Sequence, residues 1–473
     1  MEAVATVNSS IVNLVKTIVG AGLLAIPFVF QNDGILFGVL LTLLAATTSG
    51  FGLFALAKCS KVMLNPRNAS FFTVCLMTNH KLSVINDLAM IVQCFGVGVS
   101  YVVLVGDLFP IVFGGERNTW IIASLVVILP LCLLRSMNSL KYSSILGLFA
   151  LTYLTLLVIS NFLDDVILTD KFMQHRGDVN WIKIRDYKGF VTTFNIIIFA
   201  FTGAMNLFSI INELEENSMK NISHVINYSI GISTILFLSV GITGYLTFGS
   251  NTVGNIMLNY DPNSVWTNVG NFCLGAMVIL SFPLLFHPLR DAVNNIIVYY
   301  QYYKSNNDQD SGVIVGNNYD STYSRPISLS VADDEEEEVN SLVNGEMNIT
   351  VDNSSILEDV NENQFTSGIK SDFSQSRFYI ITFALLAVIY ITALTVTSFS
   401  LILAFVGATG STSISFILPG YFGFKLIGTD SLIVGEMIPK RDMFYKKCSQ
   451  GLCFFGLFIM VFSLYLILTG NNS

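Results

Sequence analysis

Apolar stretches long enough to cross the roughly 30 Å hydrocarbon core of a membrane recur along this chain, and they restrict its fold more than any other feature. Of its 473 residues, 52% are hydrophobic and 12% are charged, with a mean hydropathy of +0.63. That composition excludes an ordinary soluble protein. We predict an all-α membrane protein with about eleven transmembrane helices, which we call spans one to eleven, at residues 8–30, 34–57, 84–108, 119–134, 142–162, 189–211, 223–248, 266–298, 378–398, 401–425 and 448–468.

Glycine interrupts two of these spans at matching positions. Span one contains Gly20, Ala21 and Gly22, and span six contains Thr202 and Gly203. Breaks in corresponding members of two five-span halves indicate a secondary transporter built from inverted repeats. An unwound backbone at membrane depth is tolerated only where it lines a cavity or is buried in protein. Each break therefore predicts a place where a polar solute is held.

The two breaks offer opposite chemistry. After the first, backbone N–H groups and the positive end of a half-helix favour an anion such as an amino-acid carboxylate. After the second, freed carbonyl groups can accept hydrogen bonds from an ammonium group, and Asn206 adds a polar side chain. The predicted substrate-binding residues are Gly20, Ala21, Gly22, Thr202, Gly203 and Asn206. The alternative is that these glycines serve helix packing or a kink, since glycine and proline are frequent in membrane helices.

Ionisable residues inside the spans are few, which makes each of them a candidate for function. Lys16 precedes Gly20 by one helical turn, and its alternative role is to extend its ammonium group to the membrane surface. His287 lies between two prolines of span eight and is either a core histidine or a proton relay.

The segment 304–376 differs from the rest of the chain. It carries 15 acidic and 3 basic residues, a net charge of −12, whereas the whole chain carries −9. The acidic balance therefore belongs to this segment and says nothing about the charge of a substrate. The polar composition predicts disorder. We divide the chain into residues 1–303 with spans one to eight, the acidic loop 304–376, and residues 377–473 with spans nine to eleven.

Lysine and arginine in the short loops predict the orientation. The loops after spans two, four and ten are basic, which places the N-terminus and the acidic loop in the cytosol. The longer loop after span five is also basic, but it contains five aspartates as well. Ser328 and Ser330 precede the acidic run 333–338, a context that acidophilic kinases favour, so a kinase is a predicted partner. The alternative is a passive linker.

Motifs of enzymes are missing from the sequence. It has no HExxH, Walker or GxSxG motif and no paired aspartates of an intramembrane protease, and its seven cysteines lack metal-ligand spacing. We therefore expect no enzyme, no cofactor, no metal and no nucleic-acid partner.

Four strings together resemble the amino acid/auxin permease family, nearest to its fungal vacuolar amino acid transporters that export from the vacuole. They are NLVKTIVGAGLLAIPFVF (13–30), FAFTGAMNLFSIINEL (199–214), LSFPLLFHPLRDAV (280–293) and GATGSTSISFILPG (407–420). The resemblance implies a five-plus-five inverted-repeat (LeuT-like) fold with broken helices one and six and one extra helix. It also implies an amino-acid site between those two helices and a location in the vacuolar membrane.

The resemblance also bears on ion coupling. Sodium-coupled relatives have an asparagine where this chain has Lys16, and a hydroxyl residue that matches Ser281 is its partner. An ammonium group at that position would exclude sodium, so Lys16 and Ser281 are the predicted coupling residues and protons the predicted coupled ion.

The resulting hypothesis is a proton-coupled transporter that moves amino acids from the vacuole to the cytosol. The apolar residues Phe199, Phe201, Met205 and Phe208 beside the second break favour a neutral substrate. The alternative is an amino-acid sensor that signals through the acidic loop. A channel is disfavoured because the sequence has no ring of charges and no repeated filter string.

Overall fold

The computed structural model describes residues 5–63, 66–78, 82–134, 141–164, 177–309, 374–430 and 437–470. Most of the acidic loop, including Ser328 and Ser330, lies outside these residues. The chain divides into two compact units, Met1–Ile296 with Tyr379–Ser473, and Ile297–Phe378. Of the second unit, the described residues belong to the end of one helix and the start of another.

Helices account for the regular structure of the described residues. Up to span eight, the α-helices are α1 Val7–Val19, α2 Ile26–Lys61, α3 Phe71–Thr78, α4 Leu82–Phe113, α5 Arg117–Leu133, α6 Lys141–Leu163, α7 Tyr187–Ala200, α8 Ala204–Glu213, α9 Met219–Phe248 and α10 Val265–Gln309. After the acidic loop follow α11 Gln375–Thr395, α12 Phe399–Val406, α13 Leu418–Leu426 and α14 Lys440–Gly470. Short 3₁₀ turns lie at Ala21–Ala25, Pro66–Asn68, Gly249–Asn251 and Ile256–Asn259.

Within the described ranges, nine helical stretches are long and apolar enough to cross a membrane, and α1 and α5 are shorter apolar helices. One of the nine, Ala21–Lys61, bends at Gly34, where φ is 73° and ψ is 169°. The part before Gly34 completes span one, which α1 begins, and the part after it is span two. The predicted all-α membrane protein with about eleven transmembrane helices is therefore confirmed.

Several details depart from the predicted boundaries. Span eight continues to Gln309, and span eleven begins at Lys440, so the basic residues placed in the loop before it lie on the first turns of α14. The helix α3 was not predicted. Span ten is not one regular helix, because α12 and α13 are joined by wider π-helical turns at Gly407–Ser411 and Ser413–Ile417.

Span six forms the centre of the helical assembly. In its most apolar stretch 83% of the residues are buried, against 22% for span eleven at the periphery. Asp186 caps the beginning of this span by accepting hydrogen bonds from the backbone N–H groups of Lys188, at 3.2 Å, and Gly189, at 2.9 Å. Such a cap satisfies donors that the first helical turn leaves without partners. Because most residues of span six are buried, its break is surrounded by protein, which is the environment that an interrupted helix requires.

Candidate functional site

Both predicted breaks are present. The helix α1 ends at Val19, Gly20 has φ 21° and ψ −153°, and the 3₁₀ turn Ala21–Ala25 leads directly into α2. In span six, α7 ends at Ala200 and α8 begins at Ala204. Each of the two spans thus consists of two half-helices joined at membrane depth.

Glycine lets the two broken spans cross closely. A Cβ atom on Gly22 would lie 2.9 Å from the Cα atom of Ala200, and one on Gly203 would lie 2.8 Å from Cγ1 of Ile18. Real Cβ atoms do not approach other atoms this closely, so both positions require glycine for packing. Gly203 does not line the cavity that lies at the two breaks, so the packing alternative raised for the glycines applies to it.

A cavity of about 170 Å³ lies at the two breaks. It brings together Gly20, Ala21 and Gly22 of span one with Thr202 and Asn206 of span six. Lys16 and Ser281, the predicted coupling residues, also line it. Seven of the eight residues that the sequence selected therefore surround one space, although they come from spans one, six and eight.

Hydrogen bonds join the half-helices beside this cavity. Asn206 Nδ2 donates to Thr17 Oγ1 at 3.2 Å, and Thr17 Oγ1 donates to the Asn13 carbonyl at 2.9 Å. Thr202 Oγ1 donates to the Ile198 carbonyl at 3.0 Å, so its single hydrogen is used within its own span. The Thr202 hydroxyl oxygen can therefore act toward a ligand as an acceptor.

The Lys16 side chain lies against span five. A Cβ atom on Gly147 would be 3.0 Å from Lys16 Cε and 3.8 Å from Nζ. Glycine at position 147 leaves the room that the lysine side chain occupies. The cavity thus has a cationic group among its lining residues, and a positive charge repels a second cation at close range.

Residues 3–468 match the family described as transmembrane amino acid transporter protein. The chain belongs to this family. A relative from Saccharomyces cerevisiae named vacuolar amino acid transporter 7 is 56% identical over 100% of both chains. Vacuolar amino acid transporter 5 of the same yeast is 34% identical over 99% of each chain. A putative sodium-coupled neutral amino acid transporter 10 from Xenopus laevis is 25% identical over 61% of this chain and 28% of its own length.

The resemblance drawn from the four sequence strings is thus confirmed, and the family is one of transporters rather than enzymes. In this member of the transmembrane amino acid transporter family, the arrangement at the breaks has a direct chemical use. The start of the helix after Gly20 presents N–H groups, and the end of α7 presents carbonyl groups. A zwitterion placed between them can direct its carboxylate to the first and its ammonium group to the second.

Sequence reasoning missed two polar side chains of span three that line the cavity, Gln93 and Tyr101. Gln93 is buried, and its Oε1 atom accepts a hydrogen bond at 2.8 Å from Ser411 Oγ in the π-helical part of span ten. A π-helical turn is frequent at functional sites. An amide in the middle of an apolar span was the available signal, but away from the two breaks only ionisable residues were considered.

The four apolar residues beside the second break have different positions. Phe199 and Met205 line the cavity. Phe201 packs edge to face on Phe237, with ring centroids 4.9 Å apart, and Phe208 packs on Phe71 at 5.2 Å. Two of these four side chains, Phe199 and Met205, therefore place apolar surface at the cavity.

His287 belongs to a separate cluster between spans four, eight and nine. Its Nδ1 atom lies 2.6 Å from Arg290 Nη2, and Arg290 also donates to the Cys132 carbonyl and to Thr382 Oγ1. Since a guanidinium group only donates, His287 Nδ1 accepts. Neither His287 nor Arg290 lines the cavity at the breaks.

Two further cavities lie on either side of the breaks. One of about 510 Å³, on the face where α1 begins, shares Met205 with the cavity at the breaks. It is lined by Asp87 and Asp291, and by Asn86 and Asn212, whose Oδ1 atoms have no hydrogen-bond partner among the described residues. The other cavity, of about 760 Å³, lies on the opposite face. Among the residues described, none lines both this cavity and the cavity at the breaks. We call these the near cavity and the far cavity.

Proposed function

We propose that this chain is a secondary active transporter of the vacuolar membrane that moves neutral amino acids from the vacuole to the cytosol together with protons. The observation that carries the proposal is the cavity at the two breaks, which has a helix start on one side and a helix end on the other. Amino acids as substrates and the vacuole as location are further supported by the names of the two yeast relatives.

The amino-acid backbone binds at the breaks. Its carboxylate lies at Gly20, Ala21 and Gly22, where the half-helix begins, and its ammonium group faces the end of α7 near Thr202. Helix ends carry partial charges of about half an elementary charge, positive at the start and negative at the end. Binding of the zwitterion thus uses charges that the breaks themselves expose.

Size and lining restrict the side chain of the substrate. The cavity of about 170 Å³ is smaller than the pockets of roughly 300–1,000 Å³ that hold drug-sized ligands. Phe199 and Met205 provide apolar surface, while the cationic Lys16 disfavours a second positive charge. A small or medium neutral amino acid meets both conditions.

Proton coupling follows from the position of Lys16. Its ammonium group belongs to the same cavity as Ser281, where the resemblance to sodium-coupled relatives would put a bound sodium ion. The fixed charge of the Lys16 ammonium group takes the place of that sodium ion, so transport does not require sodium. Protons then remain as the coupled ion, and the acidic lumen of a vacuole supplies a proton gradient toward the cytosol.

The direction of transport is supported by the neighbouring cavities. The cavity at the breaks adjoins the near cavity through Met205, and the basic loops predict that this face is cytosolic. Asp87 and Asp291 make the near cavity electronegative, which favours passage of an ammonium group. A substrate held at the breaks is thus positioned for release to the cytosol.

Purified protein in proteoliposomes tests the proposal with a panel of radiolabelled amino acids, each measured with and without a pH gradient. We expect saturable uptake of neutral amino acids that increases with the proton gradient and does not respond to sodium. Binding of a labelled amino acid without any flux would instead assign the chain to the sensor class. Uptake that responds only to sodium would contradict proton coupling.

A further inference from the structure

The second half of span one contains a carboxyl group that has no access to solvent. Asp33 immediately precedes the bend at Gly34, and its exposed fraction is 0%. Asn32 Nδ2 donates to Asp33 Oδ1 at 2.8 Å. Thr193 Oγ1, on the first half of span six, lies 2.9 Å from Oδ1 and 2.8 Å from Oδ2 of the same carboxyl group. This contact joins the two half-helices that face the far cavity.

The hydrogens available at this contact can be counted. Thr193 Oγ1 also lies 2.9 Å from the carbonyl oxygens of both Gly189 and Phe190, so four oxygen atoms surround one hydroxyl group. A hydroxyl group has one hydrogen to donate, and a backbone carbonyl has none. Only a protonated Asp33 supplies a second hydrogen. It then donates to Thr193, which donates in turn to a carbonyl of its own helix.

Ionised Asp33 fits this arrangement poorly. The Thr193 hydrogen would have to point to the carboxylate, which would leave two carbonyl oxygens 2.9 Å from the hydroxyl oxygen with no hydrogen between them. Unpaired oxygen atoms at that distance repel each other, and a buried charge is costly unless a countercharge accompanies it.

Among the residues that the structure describes, no such countercharge accompanies Asp33. Of the two ion pairs between side chains of the described residues, Lys58–Asp442 and Arg117–Asp107, neither involves Asp33. In the described part of the adjoining loop and at the start of α7, the charged side chains are exposed, and the Tyr245 hydroxyl of α9 accepts a hydrogen bond from the Asn180 N–H group. The exposed charged side chains are Asp178, Lys183, Arg185, Asp186 and Lys188.

Water has a short route to the carboxyl group. Asn32 and Thr193, both hydrogen-bonded to Asp33, line the far cavity of about 760 Å³. One layer of side chains therefore separates Asp33 from this space. A proton can reach Asp33 from the far cavity after a small displacement of Asn32 or Thr193.

We propose that Asp33 is a proton-binding site and that its protonated form, bonded to Thr193, closes the path from the far cavity to the breaks. Loss of the proton leaves a buried carboxylate that has the Asn32 amide as a donor but no countercharge among the described residues, and the two half-helices separate. The proton on Asp33 thus acts as a latch between spans one and six. The inference rests on the proposed function in one respect, namely that the cavity at the breaks is reached from both faces.

Cysteine accessibility at Ile197 tests the latch. Ile197 lies one turn after Thr193 on the same face of α7 and is fully buried, so a maleimide reaches Ile197→Cys only when the half-helices separate. The rate is read at position 197 by peptide mass spectrometry, which leaves the native cysteines in place. The rate at position 197 is divided by the rate at Val265→Cys, where the side chain is 72% exposed. This ratio removes the intrinsic pH dependence of the reaction between maleimide and a thiol.

We expect the normalised rate to rise about tenfold from acidic to alkaline buffer, which corresponds to loss of about 1.4 kcal/mol of latching free energy. Asp33→Asn keeps a donor toward Thr193 and should stay slow at every pH. Thr193→Val removes the acceptor while keeping the shape and should be fast at every pH. The neighbouring Thr192→Val, whose hydroxyl among the described residues bonds only to the Lys188 carbonyl, should behave like the unmodified protein.

A flat profile in the unmodified protein would overturn the proposal, and so would an unchanged profile in both Asp33→Asn and Thr193→Val. A fast Asp33→Asn protein would assign Asp33 a purely structural role and would also overturn it. Labelling needs no transported substrate. Failure of the latch is therefore distinct from failure of the proposed function, which exchange of radiolabelled alanine, leucine and glutamine in the same preparation measures separately.

Discussion

Gly22 and Ala200 are in contact where the two broken spans cross, and a Cβ atom on Gly22 would lie 2.9 Å from the Ala200 Cα atom and 3.0 Å from its Cβ atom. Gly22 also lines the cavity at the breaks. The same glycine therefore permits the crossing of the spans and the close approach of a substrate to the backbone.

Replacement of Gly22 tests this double role. Gly22→Ala should reduce transport, because overpacking typically costs about 1–3 kcal/mol, and Gly22→Leu should abolish it. Gly231→Ala is the matched control, since a Cβ atom on this helical glycine would meet no atom within 4 Å. Uptake by equal amounts of inserted protein is the measurement. Normal uptake by Gly22→Leu would refute the assignment of the site.

Removal of the Lys16 ammonium group should impair coupling. We expect Lys16→Ala to weaken the dependence of uptake on the proton gradient or to leave the site poorly organised, because the fixed charge beside Ser281 is gone. Lys440→Ala is a suitable control, since Lys440 is exposed on the first turn of α14 and does not line the cavity. Several-fold stimulation of the unmodified protein by sodium would show that the argument from Lys16 is wrong.

The hydrogen bond between Asn206 and Thr17 should contribute to substrate affinity. It spans 3.2 Å and holds the two half-helices beside the cavity. Thr17→Val should raise the KM by about twofold to tenfold, since one such bond is worth about 0.5–1.5 kcal/mol. Thr17→Ser should keep the hydrogen bond and with it the KM of the unmodified protein. If Asn206 acts only through this bond, adding Asn206→Ala to Thr17→Val should raise the KM no further. Additive effects in a double-mutant cycle would contradict that coupling.

Deletion of the acidic loop should leave transport intact in proteoliposomes. Residues 308–361 are too polar to pack among helices, and a polar insertion costs little free energy. Alanine at both Ser328 and Ser330 should change vacuolar localisation or flux in cells but not in liposomes, because phosphates there would each add a charge of about −1.5 to −2. Unchanged behaviour in cells would leave the passive-linker alternative.

The bend at Gly34 should resist substitution. Its φ of 73° is unfavourable for other residues, and a Cβ atom would lie 3.1 Å from the Asn180 carbonyl oxygen. The backbone of the following residues pairs with this loop, through Ile35 N to Asn180 O and Leu36 N to Trp181 O. We expect Gly34→Ala to lower the midpoint of thermal unfolding by several degrees, whereas Gly451→Ala, in open space, should not. Equal midpoints of thermal unfolding for Gly34→Ala and the unmodified protein would show that the loop tolerates the strain.

The sequence alone determined the spans and the two breaks, because both follow from local physics. A hydrocarbon environment requires long apolar helices, and glycine at membrane depth marks where a helix is interrupted. Lys16 and Asn206 were found for the same reason, since a polar side chain inside an apolar span is visible in the sequence itself.

Only the tertiary structure decided which side chains meet. The direction in which a helical residue points depends on how each helix is rotated against its neighbours, and that rotation results from packing between segments far apart in the chain. Packing placed Gly203 and Phe201 away from the cavity, brought Gln93 and Tyr101 into it, and set Asp33 against Thr193, 160 positions later.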